Sequence, residues 1–75
     1  MIKIIKIDFV LNNGQTIVGF DETENNLQDY ATNLLSKTNN TPVNSRYWQL
    51  FSGENRNEIV FIDLNKVDAI TVTVI

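Results

Sequence analysis

The sequence predicts a single α+β domain over residues 1–75: a mainly antiparallel, curved sheet in β-β-α-β-β-β order with one amphipathic helix on one face. Three observations carry this. Period-two alternation flanks an Asn-Gly turn near the start, Ile5-Lys6-Ile7-Asp8-Phe9 before it and Ile17-Val18 after it. A helical stripe follows, with Leu27, Tyr30, Ala31, Leu34 and Leu35 at i, i+3, i+4, i+7 and i+8. Short apolar strands then run to the end of the chain. No linker, repeat or low-complexity stretch divides it.

Residues 2–11 read as the first strand. Asn13-Gly14, taken as a two-residue type I′ turn, fixes the expected register. Leu11 then faces Thr16, Phe9 faces Val18 and Ile7 faces Phe20. Residues 22–37 read as the helix, with Asp21 as N-cap and Glu24 completing a capping box. Pro42 biases Thr41 away from helical geometry and ends the segment. Residues 46–51 form a third strand of ambiguous facing, since Tyr47 and Phe51 oppose Trp48 and Leu50. Residues 52–57 form a polar loop, residues 58–63 a fourth strand, Asn65-Lys66 a short turn and residues 67–75 a fifth strand.

The fourth strand, Ile59-Val60-Phe61-Ile62, is apolar on both sides, and the last six residues, Ile70-Thr71-Val72-Thr73-Val74-Ile75, carry an apolar run to the terminus. That pattern asks for two dry faces. A sheet of five strands spans on the order of 20 Å, whereas one helix with its side chains is roughly 10–12 Å across. One helix therefore leaves strand surface uncovered. Strong curling of the sheet and self-association are the two physical remedies. The expected partner is a second copy, most simply in a two-fold dimer, with Val10, Ile17, Leu50, Val72, Val74 and Ile75 as candidate interface residues.

Composition removes several chemistries. The chain has no Cys and no His, so disulfides, thiol nucleophiles, the usual zinc ligands and a Ser-His-Asp triad are excluded. Asp21-x-Thr23-x-Asn25 faintly echoes a calcium loop, but Asn26 stands where Gly is needed and Thr32 where the closing acid is needed. Asp63 and Asp68 flank the last turn and read as turn residues rather than an acid–base pair. Gly14 and Gly53 sit in no phosphate-cradling pattern. No catalytic residue, metal site or cofactor is expected. Net charge is −3 and the isoelectric point is about 4.6, which argues against nucleic acid. Met1 to Leu11 is too short and too alternating for a secretion signal or a membrane span, so the expectation is a soluble cytoplasmic protein without membrane contact. Eleven Asn residues, with frequent Ile and Lys, fit AT-rich codons and a low-GC bacterial or phage gene.

The most function-like cluster is Arg46, Tyr47, Trp48 and Arg56, because Arg and aromatics anchor interfaces and stack on planar ligands. The leading expectation is a non-enzymatic oligomeric interaction module, an adaptor or inhibitor that binds another protein. An alternative is a module that holds a nucleotide-like ligand between protomers, with Tyr47 or Trp48 stacking and Arg56 on phosphate. A third comes from similarity. Val10-Leu11-x-Asn13-Gly14-Gln15-x-Ile17-x-Gly19 resembles the first hairpin of Sm-like RNA-binding proteins, and Val60-Phe61-Ile62-Asp63-Leu64-x-x-Val67-x-x-Ile70 is loosely similar to their second motif. The resemblance implies a ring-shaped oligomer that binds RNA. Two departures stand against it: that family places its helix before the strands, and its uracil-binding signature does not align here.

Overall fold

The computed structural model describes residues 2–53, 55 and 57–75. Five strands form one antiparallel sheet: β1 (Lys3–Leu11), β2 (Thr16–Thr23), β3 (Tyr47–Phe51), β4 (Ile59–Asp63) and β5 (Val67–Val74). A single α-helix, α1 (Leu27–Asn40), joins β2 to β3, and short 3-10 turns occupy Val43–Ser45 and Leu64–Lys66. The strand order across the sheet is β4-β3-β2-β1-β5.

That order forces the sheet to curl. In a flat sheet, β4 and β5 would lie roughly 19 Å apart at opposite edges. The three-residue 3-10 turn that connects them advances only about 6 Å. The turn is tied to both halves of the sheet. Leu64 N–H donates to the Arg46 carbonyl at 2.8 Å, and Asn12 N–H donates to the Lys66 carbonyl at 2.8 Å. Curling is thus the remedy adopted within the single chain. Its concave side holds the core, formed by Ile5, Ile7, Phe9, Leu50, Ile62 and Leu64 with Tyr30 and Leu34 of α1.

The first hairpin departs from the expected register by one residue. Leu11 N–H donates to Gln15 O at 2.8 Å and Gly14 N–H to Leu11 O at 3.0 Å, so the loop holds three residues, Asn12 to Gly14. A turn over Leu11 to Gly14 whose last residue is left-handed needs positive φ only at that position, and Gly14 has φ +89°. The Asn13 side chain fixes the loop by accepting from Gln15 N–H at 3.0 Å. Ile7 therefore opposes Gly19, Phe9 opposes Ile17 and Ile5 opposes Asp21. A one-residue shift turns every side chain over. Ile17, Gly19 and Asp21 face the core, while Val18 and Phe20 face outward, the reverse of the expected arrangement.

The helix also begins later than its acidic residues suggest. Asp21 and Glu22 remain in β2, which follows the nine-residue β1 as far as the pair Lys3–Thr23. The continuing ladder pairs Asp21 with Ile5 and Thr23 with Lys3, and the Asp21 carboxylate takes up the Glu22 amide, which outweighs a capping box. Asn26 is the N-cap instead, accepting from Asp29 N–H at 2.8 Å. The helix runs on to Asn40, and Thr41 turns extended before Pro42. Of the predicted stripe, Tyr30 and Leu34 are buried, but Leu35 is 54 % exposed. It stands at the rim of a cleft of about 250 Å³ between α1 and β5.

Candidate interaction surface

Strand alternation separates the residues that the sequence groups together. In β3, Trp48 and Leu50 point to the core, whereas Tyr47, Gln49 and Phe51 point outward. Leu50 is 2 % exposed and sits inside the protomer's own core, so it is unavailable to any interface. Ile17 and Val72, also expected on an open surface, pack against that same core. The physical reason is register: the three-residue loop sets Ile17 opposite Phe9, Val72 opposes Ile7, and Leu50 shares the inward side of its strand with Trp48, which opposes Ile62. Val10, Val74 and Ile75 remain exposed, at 37 %, 46 % and 60 %.

Trp48 is held in a polar relay. Its Nε1–H donates to the Tyr30 hydroxyl at 2.9 Å, and that hydroxyl donates to Asp21 Oδ2 at 2.6 Å. The two rings meet edge to face, with centroids 5.9 Å apart. Asp21 Oδ1 also accepts from Glu22 N–H at 2.8 Å. Burial raises the Asp21 pKa above its ordinary 3.8, and the Tyr30 hydrogen bond acts in the opposite direction. Burial also pushes the Tyr30 hydroxyl well above its ordinary 10, reinforced by the Asp21 carboxylate. Tyr30 therefore stays protonated, as a donor must. The relay borders an opening of about 480 Å³ lined by Asp21, Lys37, Trp48, Gln49 and Phe61 among others.

Arg46 is a latch rather than a free anchor. Its Nε–H donates to the Thr41 carbonyl at 2.7 Å and its Nη1 to Asn65 Oδ1 at 3.3 Å. It thereby ties the exit of α1 to the turn between β4 and β5. Arg56 lies outside the described residues. Tyr47 and Trp48 face opposite sides of the sheet, so they form no shared stacking platform. Among the described residues, no group of three Asp or Glu side chains is placed to hold a metal ion. No helix among them is long and apolar enough to cross a membrane.

What the structure does bring together is a convex apolar face. Ladder pairing sets Phe20 beside Phe51 and Phe51 beside Ile59, with Phe61 beside Gln49 and Tyr47 on the same side. Phe61 is 58 % exposed, Ile59 52 %, Tyr47 49 % and Val18 38 %. At roughly 150–250 Å² per aromatic side chain, these four residues expose on the order of 300–400 Å² of side-chain surface, the size of patch that marks an interaction site. The apolar pattern of β4 pointed to this face, but the outward placement of Tyr47, Phe20 and Val18 needed the true register. Comparison with protein-family models, with curated proteins and with solved structures gives no match for this chain.

Proposed function

We propose that this chain is a non-enzymatic interaction module that binds another protein through the convex face of β2, β3 and β4. The observation that carries this reading is the exposed cluster of Tyr47, Ile59, Phe61 and Val18 on one side of one sheet. A standard interface takes about 800 Å² from each partner, a little over half of it apolar. The exposed cluster supplies most of that apolar share. Lys6, Asp8, Glu22 and Asp63 lie on the outward side around it, with Lys6 paired to Asp8 at 3.9 Å, so a partner with an apolar centre and a mixed polar rim fits best. An adaptor or an inhibitor would use such a face, since either needs only to cover a surface.

The test is affinity purification from cells expressing the chain, followed by calorimetry with the purified partner. Tyr47→Ser combined with Phe61→Ser is expected to weaken binding at least tenfold while leaving the melting temperature within a few degrees. Unchanged affinity in that double variant, or no protein retained by the wild type, would sink the proposal.

A further inference from the structure

We infer that β4 is the edge along which a second copy of this chain joins the sheet, antiparallel and two-fold, with the axis at Phe61. The inference deepens the interaction reading by naming an occupant for the edge beside the convex face.

Hydrogen-bond parity identifies which groups are on offer. Ser52 N–H donates to Glu58 O at 3.0 Å and Leu64 N–H donates to Arg46 O at 2.8 Å, at the two ends of the β3–β4 ladder. Bonded and non-bonded pairs alternate along an antiparallel ladder. Val60 and Ile62 therefore bond to Leu50 and Trp48 of β3. Ile59, Phe61 and Asp63 turn their N–H and C=O groups to the open side of the strand. An edge like this is a template for another strand unless something blocks it. β4 contains no Lys, no Pro and no bulge, and Ile59 and Phe61 are more than half exposed.

The template fits itself. With the axis at Phe61, each Phe61 opposes its own copy and Ile59 opposes Asp63 of the second copy. Phe61 then exchanges both backbone bonds with its copy, and Ile59 bonds to Asp63, whose carbonyl also serves the 3-10 turn Leu64–Lys66 at its N-cap. An axis at Asp63 would oppose two carboxylates, and an axis at Ile59 would leave Asp63 unpaired. The two Phe61 rings would meet across the axis as a cross-strand aromatic pair, and the two convex faces would become one. The β5 edge differs. Ile75 N–H donates to Ile4 O at 3.1 Å, which leaves Ile70, Val72 and Val74 with outward backbone groups. Its outward side chains by ladder pairing are Ala69, Thr71 and Thr73, with Asp68 at the bulge, so pairing there buries little apolar surface, and α1 lies alongside it across the cleft.

The test is solution mass by sedimentation equilibrium from micromolar to near-millimolar concentration. Wild type is expected at twice 8.6 kDa at the upper end. Phe61→Lys places two like-charged side chains directly opposite each other, on Cα atoms about 5.5 Å apart across the axis, and is expected to be monomeric with an unchanged circular dichroism spectrum. Val74→Lys, on the other edge, is expected to remain dimeric. Phe61→Cys introduces the chain's only thiol at a Cα separation of about 5.5 Å, within disulfide range. Mild oxidation is expected to convert that variant to a covalent dimer, a result that does not depend on how Phe61→Lys folds. Dissociation by Val74→Lys, or a dimer that survives Phe61→Lys and resists oxidative cross-linking in the Phe61→Cys variant, overturns the inference. A monomeric wild type that still binds a partner protein through Tyr47 and Phe61 also overturns it, while the interaction reading stands.

Discussion

Replacing Tyr30 by Phe deletes one oxygen and two hydrogen bonds. The hydroxyl donates to Asp21 Oδ2 at 2.6 Å and accepts from Trp48 Nε1 at 2.9 Å. A bond to a charged group contributes roughly 1.5–3 kcal/mol and a neutral one roughly 1 kcal/mol. Asp21 and Trp48 are only half-buried, so water takes over part of both losses, and the charged bond belongs at or below the low end. Phe keeps the ring, which is 5 % exposed, so no cavity is added. The expected cost is about 2 kcal/mol, or a fall in melting temperature of roughly 8–16 °C at this chain length. Urea unfolding followed by Trp48 fluorescence measures it, with an unchanged m-value as the check on two-state behaviour. A cycle with Trp48→Phe isolates the indole bond, whose coupling is expected near 1 kcal/mol. A Tyr30→Phe variant within about 0.5 kcal/mol of wild type, the range of ordinary surface substitutions, would refute the relay as a stabilising element.

Three further outcomes follow from the same contacts. A Cβ at Gly19 would lie 2.6 Å from Leu50 Cδ1 and 3.0 Å from Leu50 Cβ, so Gly19→Ala is expected to cost about 1–3 kcal/mol in chemical denaturation. Adding Leu50→Ala should then cost less than it does alone, because the 2.6 Å contact with Cδ1 is removed and only the 3.0 Å contact with Cβ remains. Asp21 holds its proton more tightly in the folded chain than in the unfolded one, because burial raises its pKa above 3.8. Its contribution is most favourable below pH 3.8 and is lost as pH rises through the raised value. Asp21→Asn is accordingly expected to melt higher than wild type at pH 7, with the gap closing below pH 3.8 in a series of thermal melts. Arg46→Ala breaks the bonds to Thr41 and Asn65 and is expected to cost about 1 kcal/mol. Faster hydrogen exchange at the Leu64 amide, which bonds to the Arg46 carbonyl, is the local readout.

The elements themselves were legible because period and punctuation agree: β3, β4 and β5 fall within a residue of the expected limits. The two misplacements share a cause. Asn13-Gly14 supports either a two- or a three-residue loop, and local sequence does not distinguish them. The shorter loop makes Val18 and Phe20 inner residues and leaves Asp21 free to cap a helix. The signal against it is Gly19. A glycine in mid-strand marks a close approach, and only the longer loop sets it inward, against Leu50. With Gly19 inward, Asp21 is inward too, and a carboxylate in that position requires a donor. Tyr30 is the one residue of the helical stripe with a donor to offer. The roles of Arg46 and Trp48 were less accessible, because they depend on the three-residue connection that draws β4 toward β5.

The convex patch and the relay are linked through the weakest seam of the sheet. Between β2 and β3, among the described residues, only Phe20 and Phe51 pair in register. Beyond that pair the strands diverge, and Tyr30 of α1 spans the gap by bonding Asp21 of β2 and Trp48 of β3. A helix side chain thus replaces a missing rung of the ladder. The β3–β4 hairpin, which carries Tyr47, Ile59 and Phe61, is held to the rest by that rung, by Arg46 and by Leu50 and Ile62 in the core. Core side chains fix where the hairpin sits, while a short ladder lets its outer surface open first. Any partner that covers this surface therefore adds its binding energy to the least secured segment of the sheet, in proportion to the logarithm of its concentration over Kd. The same seam bears on why both sides of β4 are apolar: the concave side holds the hairpin down, and the convex side is the face proposed to bind a partner.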